Sequence, residues 1–344
     1  MNSNAFTPKC ILVTGGAGFI GSNFVRYVLA NSDDARVINV DCLTYAGNLE
    51  NLAEIADDKR YLFVKRDICD TDEIVEVCRE NGVDCIVHFA AESHVDRSIT
   101  GPGEFIRTNV QGTLSMLQVA RAAGDLRFLQ VGTDEVYGSL GDTGLFSEQT
   151  PLDPHSPYSA SKASADHLVS AFGTTYGLPV LITRCSNNYG PFQFPEKMVP
   201  LMINNARHNK PLPVYGKGDN VRDWLYVEDH CSAIWTVLRN GDEGRVYNIG
   251  GNSEKQNIEV VRAILRHLGK SEDLITYVKD RPGHDFRYAI DATRIKTELA
   301  WEPSVNFEDG LAKTIEWYLE HEEWLDHVVS GAYQKYYDEM YAGR

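Results

Sequence analysis

The first half of the chain alternates short apolar runs with stretches of helical periodicity. "CILVTG" (10–15), "RVINVD" (36–41), "YLFVKRD" (61–67), "VDCIVHFAA" (83–91), "RFLQVGT" (127–133) and "LPVLITRC" (178–185) are apolar almost throughout. Strands covered on both faces read this way; strands with one wet face alternate instead. Between these runs, helical patterns lie near 20–30, 71–81, 104–123 and 158–176, with a weaker one near 49–56. Strand–helix alternation predicts right-handed βαβ units, and so an α/β fold with a Rossmann-type, doubly wound parallel sheet.

The pattern loosens after Gly190. "NNYGPFQFPEK", "NKPLPVYGKGDN" and "KDRPGHDFRYAID" are polar and turn-rich, with short helices between them. The expected division is a sheet domain over 1–190 and a smaller, mainly substrate-binding domain over 191–344. "RDWLYVEDH" and "RVYNIGG", near 222–250, read as returns to the first sheet. The aromatic stretch "WYLEHEEWLDHVVSGAYQKYYDEMYAGR" reads as helix packed on the surface. No internal repeat or low-complexity segment interrupts the chain.

Charge narrows the partners. The 344 residues carry a formal net charge of −16. Such a surface repels nucleic acid and anionic membrane, while local Lys/Arg clusters still admit a small phosphorylated ligand. Seven cysteines, an odd number with no CxxC, sit mostly in apolar runs and read as reduced thiols of a cytoplasmic protein. "MNSNAFTPKC" is not a signal peptide, and no apolar run nears the ~18 residues of a membrane helix. No His/Cys/Asp set has metal-ligand spacing, so no metal is expected. His88 and His94 read as structural.

The candidate chemistry begins at "VTGGAGFIGS". Gly15, Gly18 and Gly21 follow the first strand and open a helix. Glycine allows a tight turn and close approach of a pyrophosphate to backbone N–H groups, and the helix N-terminus favours its charge. Asp41 ends the second strand, where an acid accepts the ribose hydroxyls of an adenosine and repels a 2′-phosphate, favouring NAD over NADP. Asp67, at the end of the third strand, is placed to reach the adenine, and Ile68 is grouped with it at the cofactor. In "PYSASKASAD", Tyr158 and Lys162 share a helical face at i, i+4. A neighbouring ammonium is expected to lower the phenol pKa and make Tyr158 a base toward a substrate hydroxyl. Thr133 offers a hydroxyl to the same oxygen. Directly after it stand two acids, Asp134 and Glu135, at the carboxyl end of a buried strand. Successive strand side chains point to opposite faces, so both serve one ligand only where the strand breaks into a turn.

"TGGAGFIG", "YSASK" and the strand-end threonine resemble the extended short-chain dehydrogenase/reductase family along essentially the whole chain. More narrowly, "DCLTYAGNLENL", "HFAAESHVDRSI", "VGTDEVYG", "RCSNNYGPFQFPEKMVPLMI", "GKGDNVRDWLYVEDH" and "RPGHDFRYAID" resemble the dTDP-glucose 4,6-dehydratases. The resemblance implies an NAD-dependent hydro-lyase acting on dTDP-glucose, with Asp134 as general acid and Glu135 as base. Oxidation at C4 acidifies the C5 proton; the base removes it while the acid protonates the departing C6 hydroxyl, and the hydride returns to C6. One carboxyl must be neutral and the other ionised, and mutual repulsion separates them in that sense.

The same resemblance implies cofactor contacts at Phe19, Ile20, Thr44, Ala90, Ala91, Thr108 and Asn188. It places substrate contacts at Ser93 and Asn187, with Lys197, Arg222, Asn257 and His284 at the nucleotide diphosphate. Tyr215 and His284 are expected to pack on the pyrimidine. By analogy, helices 104–123 and 158–176 pair with a second copy in a homodimer. Cys42, beside Asp41, departs from the larger polar residue of many family members. Two other readings stay open: a sibling enzyme (4-epimerase, decarboxylase, or UDP- or CDP-glucose dehydratase), and a non-catalytic NAD-binding regulator. A 4-epimerase needs no acid pair, and a regulator has no use for Tyr158, Lys162 and both acids together.

Overall fold

A computed structural model describes residues 5–330. Twelve strands run in chain order: β1 (Cys10–Thr14), β2 (Arg36–Asp41), β3 (Tyr61–Lys65), β4 (Cys85–His88), β5 (Arg127–Thr133), β6 (Val180–Cys185), β7 (Asn187–Tyr189), β8 (Leu212–Tyr215), β9 (Val221–Tyr226), β10 (Val246–Ile249), β11 (Glu254–Gln256) and β12 (Ile275–Val278). Seven form one sheet in the order β10-β6-β5-β4-β1-β2-β3. Every neighbouring pair in it is parallel. The architecture is the α/β, Rossmann-type doubly wound sheet that the apolar runs predict.

The sheet is covered on both faces, and alternation within each strand feeds both layers. Ile11, Val13, Val37, Val87 and Leu129 point to a layer shared with Phe24 and Val28 of the helix Phe19–Asn31 and Ile234 and Leu238 of the helix Val227–Asn240. Leu12, Ile38, Ile86, Phe128 and Ile182 point to the other, against Ile74, Met116, Leu117 and Val169. These buried side chains contribute on the order of 2 kcal/mol each through removal of apolar surface from water.

The later part of the chain does not keep to itself. Val246–Ile249 lies at the edge of the large sheet beside β6, and the helix Val227–Asn240 packs on that sheet. Val221–Tyr226 instead pairs with β7 in parallel and β11 antiparallel, in a separate three-stranded sheet. Tyr189, Ile203, Val260, Ile264, Leu311 and Ile315 form a third core beneath it. Of the aromatic C-terminal stretch, Phe307–Glu320 and Glu322–Val328 are helical; its final residues, 331–344, lie outside the described residues.

Order reverses about β1, whose neighbours β2 and β4 carry the chain to opposite sides. A crevice opens at the carboxyl ends of the strands at such a point. The segments that follow β1, β2, β4, β5 and β6 all reach it.

Candidate active site

A cleft of about 370 Å³ lies along this row of strand ends. Its walls hold Gly15, Gly18, Phe19, Ile20 and Gly21 from the first turn; Asp41 and Thr44 after β2; Asp67 and Ile68 after β3; and Ala90, Ala91 and Ser93 after β4. Thr108 comes from the helical stretch above. Thr133, Asp134 and Glu135 follow β5, Tyr158 and Lys162 come from the helix Pro157–Tyr176, and Asn187, Asn188 and Lys197 follow β6. Tyr215, Arg222, Asn257 and His284 lie outside these walls.

The cofactor half is built on backbone. Gly15 has φ +69°, and a Cβ there would sit 2.7 Å from the Ala90 nitrogen. Only glycine takes this turn while letting the strand-end segments approach. Asp41 Oδ2 accepts from the Ala17 N–H (3.0 Å) and Oδ1 from the Leu43 N–H (2.8 Å). The carboxylate thus ties the glycine turn to the loop after β2 and keeps acceptor capacity for a diol. Burial raises its pKa, and those two bonds partly offset this. Asp67 is more committed. It accepts from Arg107 at 2.6 Å and from the Cys69 N–H at 2.9 Å, and these contacts outweigh burial to leave its pKa lowered. His88, fully buried between Thr14 and Thr113, is pushed down to about 3 by burial and stays neutral.

The catalytic half starts where β5 breaks. Asp134–Tyr137 is a turn of 3₁₀ helix capped by Thr133, whose hydroxyl accepts from the Glu135 N–H. The turn lets adjacent carboxyls line one cleft, and their surroundings differ. Burial, then the Glu135 and Asp223 charges, push Asp134 well above the carboxylate range, and its Oδ2 has no hydrogen-bond partner. Burial raises Glu135 too, but Arg281, Lys197 and Arg222 all oppose it. Burial and neighbouring charges push the first acid toward its protonated form; the second sits in a cationic field.

Tyr158 corrects one expectation. Burial pushes its phenol well above the ordinary value, Glu135 adds to the rise, and a hydrogen bond with Thr133 only partly offsets it. The phenol is not brought below its ordinary value, as the i, i+4 spacing of Lys162 suggests it should be. The Lys162 ammonium is buried and donates to the Val131 carbonyl at 2.8 Å.

A second cluster lies beyond Glu135. Lys197 donates to the Ser93 carbonyl at 2.6 Å. Arg222, on β9, is 5% exposed, and its guanidinium stacks 4.2 Å over the Tyr288 ring. Tyr215, at the end of β8, packs edge-on against His284 and donates to Asp96 at 2.9 Å. Asn257 follows Gln256, which pairs with Val221 beside Arg222.

Several residues at the site were not singled out from sequence. Arg281 lies inside the quoted "RPGHDFRYAID" yet carried no signal of its own; it pairs with Asp96 at 3.4 Å. Arg107 meets Asp67 across 40 residues of chain. Asn109 clamps both backbone groups of Glu92 and donates to Ser161. It stands in a π-helical turn, Ile106–Gln111, inside the stretch 104–123 whose apolar spacing marks helix but not the residue's polar role. Tyr45 donates to Glu196 at 2.9 Å under the Arg97 guanidinium, joining the loop after β2 to the segment after β7.

Comparison with known proteins gives the family. A family model described as GDP-mannose 4,6 dehydratase matches residues 12–314. A dTDP-glucose 4,6-dehydratase of Xanthomonas campestris pv. campestris (strain B100) is 57% identical over 341 residues, covering 94% of this chain and 97% of that one. The chain belongs to the dTDP-glucose 4,6-dehydratase family. Members of that family have been solved. One from Bacillus anthracis str. Ames, in complex with NAD, superposes with a TM-score of 0.88 at 54% identity, covering 93% of this chain and 99% of that one. Another from Streptomyces venezuelae, with NAD and TDP bound, gives 0.90 at 50% identity and the same coverage. A UDP-glucose 4-epimerase of Thermotoga maritima is more distant, with a TM-score of 0.84 at 30% identity over 90% of this chain and 99% of that one.

Proposed function

We propose that this chain is an NAD-dependent hydro-lyase that converts dTDP-glucose to dTDP-4-keto-6-deoxy-glucose. The observation that carries the reading is the split acid pair, Asp134 pushed toward its protonated form and Glu135 flanked by cations, in one cleft with Tyr158 and Lys162. A 4-epimerase has no step that needs both acids.

The residues fit the cofactor. The glycine turn leaves room for a pyrophosphate, and Asp41 faces a ribose diol with spare lone pairs. NAD, when bound, supplies the hydride acceptor for C4, the donor for C6, and a positive charge in this low-dielectric cleft. Tyr158 takes the C4 hydroxyl proton as its phenolate, the form that burial disfavours and that the positive charge of bound NAD would favour, while Thr133 holds the oxygen in place. Glu135 then takes the C5 proton, acidified by the new C4 ketone. Asp134 gives its proton to the C6 hydroxyl, which departs as water. Glu135 returns its proton to C5 to complete the product. Each proton transfer of this kind contributes about 10²–10⁴ in rate.

Lys197, Arg222 and Asn257 are assigned to the diphosphate, Arg222 for its planar fork. Tyr215 and His284 are assigned to the pyrimidine face, and Ser93 and Asn187 to the sugar. Residues 1–190, with the returning helix and strand of 227–249, form the NAD-binding part, and the rest of 191–344 mainly the sugar-nucleotide part. Exposed Ile99 and Ile106 on the helical stretch before β5 support pairing with a second copy as a homodimer. The seven unpaired cysteines support a cytoplasmic setting. Among the described residues, no helix is long and apolar enough to cross a membrane.

The test is to incubate purified protein with dTDP-, UDP-, CDP- and GDP-glucose without added NAD. A 4-keto-6-deoxy product from dTDP-glucose is expected. Product from UDP- or CDP-glucose alone would reassign the base, and no product from any of the four would remove the reading.

A further inference from the structure

The segment 279–287 carries Arg281 and His284, both facing the proposed nucleotide site, yet it contains no regular helix or strand. Its far end is tied by backbone: Phe286 O accepts from the Val221 N–H at 2.9 Å, and the Phe286 N–H donates to Ser139 Oγ at 2.9 Å. Beside that tied end, Asp285 reaches across 130 residues of chain to His155. Its Oδ1 lies 2.6 Å from His155 Nδ1, and its Oδ2 accepts from the Tyr288 hydroxyl at 2.5 Å. His155 immediately precedes Ser156, which caps the helix bearing Tyr158 and Lys162. One ion pair therefore joins the nucleotide-binding segment to the start of the catalytic helix.

We propose that the His155–Asp285 pair is a clamp that holds segment 279–287 against the catalytic helix while His155 is charged, making His155 a positioning residue for substrate binding and not for chemistry. The proposal rests on the substrate reading above only for which ligand the segment holds. The pair is asymmetric in a way that suits a switch. The Asp285 side chain is 6% exposed and pinned by Tyr288, whereas the His155 side chain is 41% exposed and exchanges protons with solvent. The charged group facing His155 besides Asp285 is Asp153, 3.4 Å from Nε2 and open to water. Asp285 in turn faces Tyr288 and, through its backbone oxygen, Arg222 and Asn220, and its field reaches Glu135. The hydrogen bond to Asp285 raises the His155 pKa above its ordinary value, with Asp153 adding to it. A raised histidine contributes in full below about pH 6.5 and loses its contribution as pH climbs through the folded value.

The experiment has two arms. The first measures kcat and KM for dTDP-glucose from about pH 6 to 8.5, in wild type and His155→Gln. A partly exposed pair predicts a wild-type KM that rises about two- to fivefold over this range. H155Q keeps a donor but no charge; its KM is expected to be high and flat with pH, with kcat unchanged. The second arm needs neither variant nor substrate. Amide hydrogen exchange over 281–286, corrected for intrinsic rate, should speed up in wild type across the same pH range. A chain that shows this transition but does not turn over dTDP-glucose keeps the clamp and loses the activity reading. Wild-type KM and exchange both flat with pH, or an H155Q pH dependence matching wild type, would overturn the clamp.

Discussion

Gly15→Ala isolates what the first turn does. The substitution meets two separate obstacles. With φ at +69°, an L side chain is left-handed, at a cost of about 1–2 kcal/mol. The new Cβ would also lie 2.7 Å from the Ala90 nitrogen and 2.8 Å from its Cα. Both are backbone atoms, so Ala90 must move, and overpacking of this kind costs about 1–3 kcal/mol. The sum is about 2–5 kcal/mol. Ala90 lines the cofactor cleft, so its displacement falls on the ligand as well as on the fold. Each 1.4 kcal/mol that reaches the ligand raises Kd about tenfold. Gly82 is the control. Its φ is +65°, and a Cβ there meets nothing within 4 Å. Gly82→Ala carries the conformational cost without the collision. The assay is NAD released from purified protein by acid, together with calorimetric Tm, for wild type, G15A and G82A. G15A should lose most of its NAD and about 3–7 °C of Tm, while G82A keeps its NAD and loses about 1–3 °C. Wild-type NAD content in G15A, or equal NAD loss in both variants, would refute the collision argument.

Glu135→Gln removes the base without changing shape; kcat should fall by about 10²–10⁴ while dTDP inhibits at least as tightly as in wild type, which steady-state assays decide. Asp134→Asn mimics the neutral acid that burial favours. Because a raised folded pKa costs stability at neutral pH, Tm should hold or rise while elimination collapses, and a large drop in Tm would show that the carboxyl is ionised. Glu135 must be ionised to act, and its pKa is raised, so kcat/KM should fall as pH drops through a value above the ordinary glutamate one. Arg281→Gln removes the largest opposing charge and should move that acid limb to higher pH; an unmoved limb would detach Arg281 from the base.

What the sequence makes legible follows from what periodicity reports. Apolar runs such as Phe128–Val131 betray burial on both faces, so all six strands of the first half, and the row of strand ends, are readable in advance. The glycine turn, Asp41 and the Tyr158/Lys162 pair are readable because each is a local pattern tied to a helix start or a helical face. The environment of those groups is not. Lys162 turns to the Val131 carbonyl because burial leaves an ammonium no solvent, and no spacing rule foretells that. Arg281 reaches the site through a segment with no period, and the Asp67–Arg107 and Asp285–His155 pairs join residues far apart in the chain. Periodicity says which face is covered; it is silent on which polar tips meet.

The division of labour between the two acids follows from depth and from what lies beyond each. Asp134 is closer to the sheet, where Asp223 adds a second negative charge and its Oδ2 finds no donor. A carboxyl in that place is most stable holding its proton, and so is poised to give it away. Glu135 opens toward Lys197 and Arg222, the cations assigned to the diphosphate, and toward Arg281. Those charges oppose, without cancelling, the rise that burial imposes on the Glu135 carboxyl. When a diphosphate occupies them, its negative charge cancels their field at the carboxylate, and Glu135 becomes a stronger base at the moment a C5 proton is within reach. Substrate binding and base strength are thus linked through one cluster, which explains why a sugar carried on a nucleotide diphosphate suits this site better than a free sugar: the handle that gives affinity also tunes the group that does the chemistry.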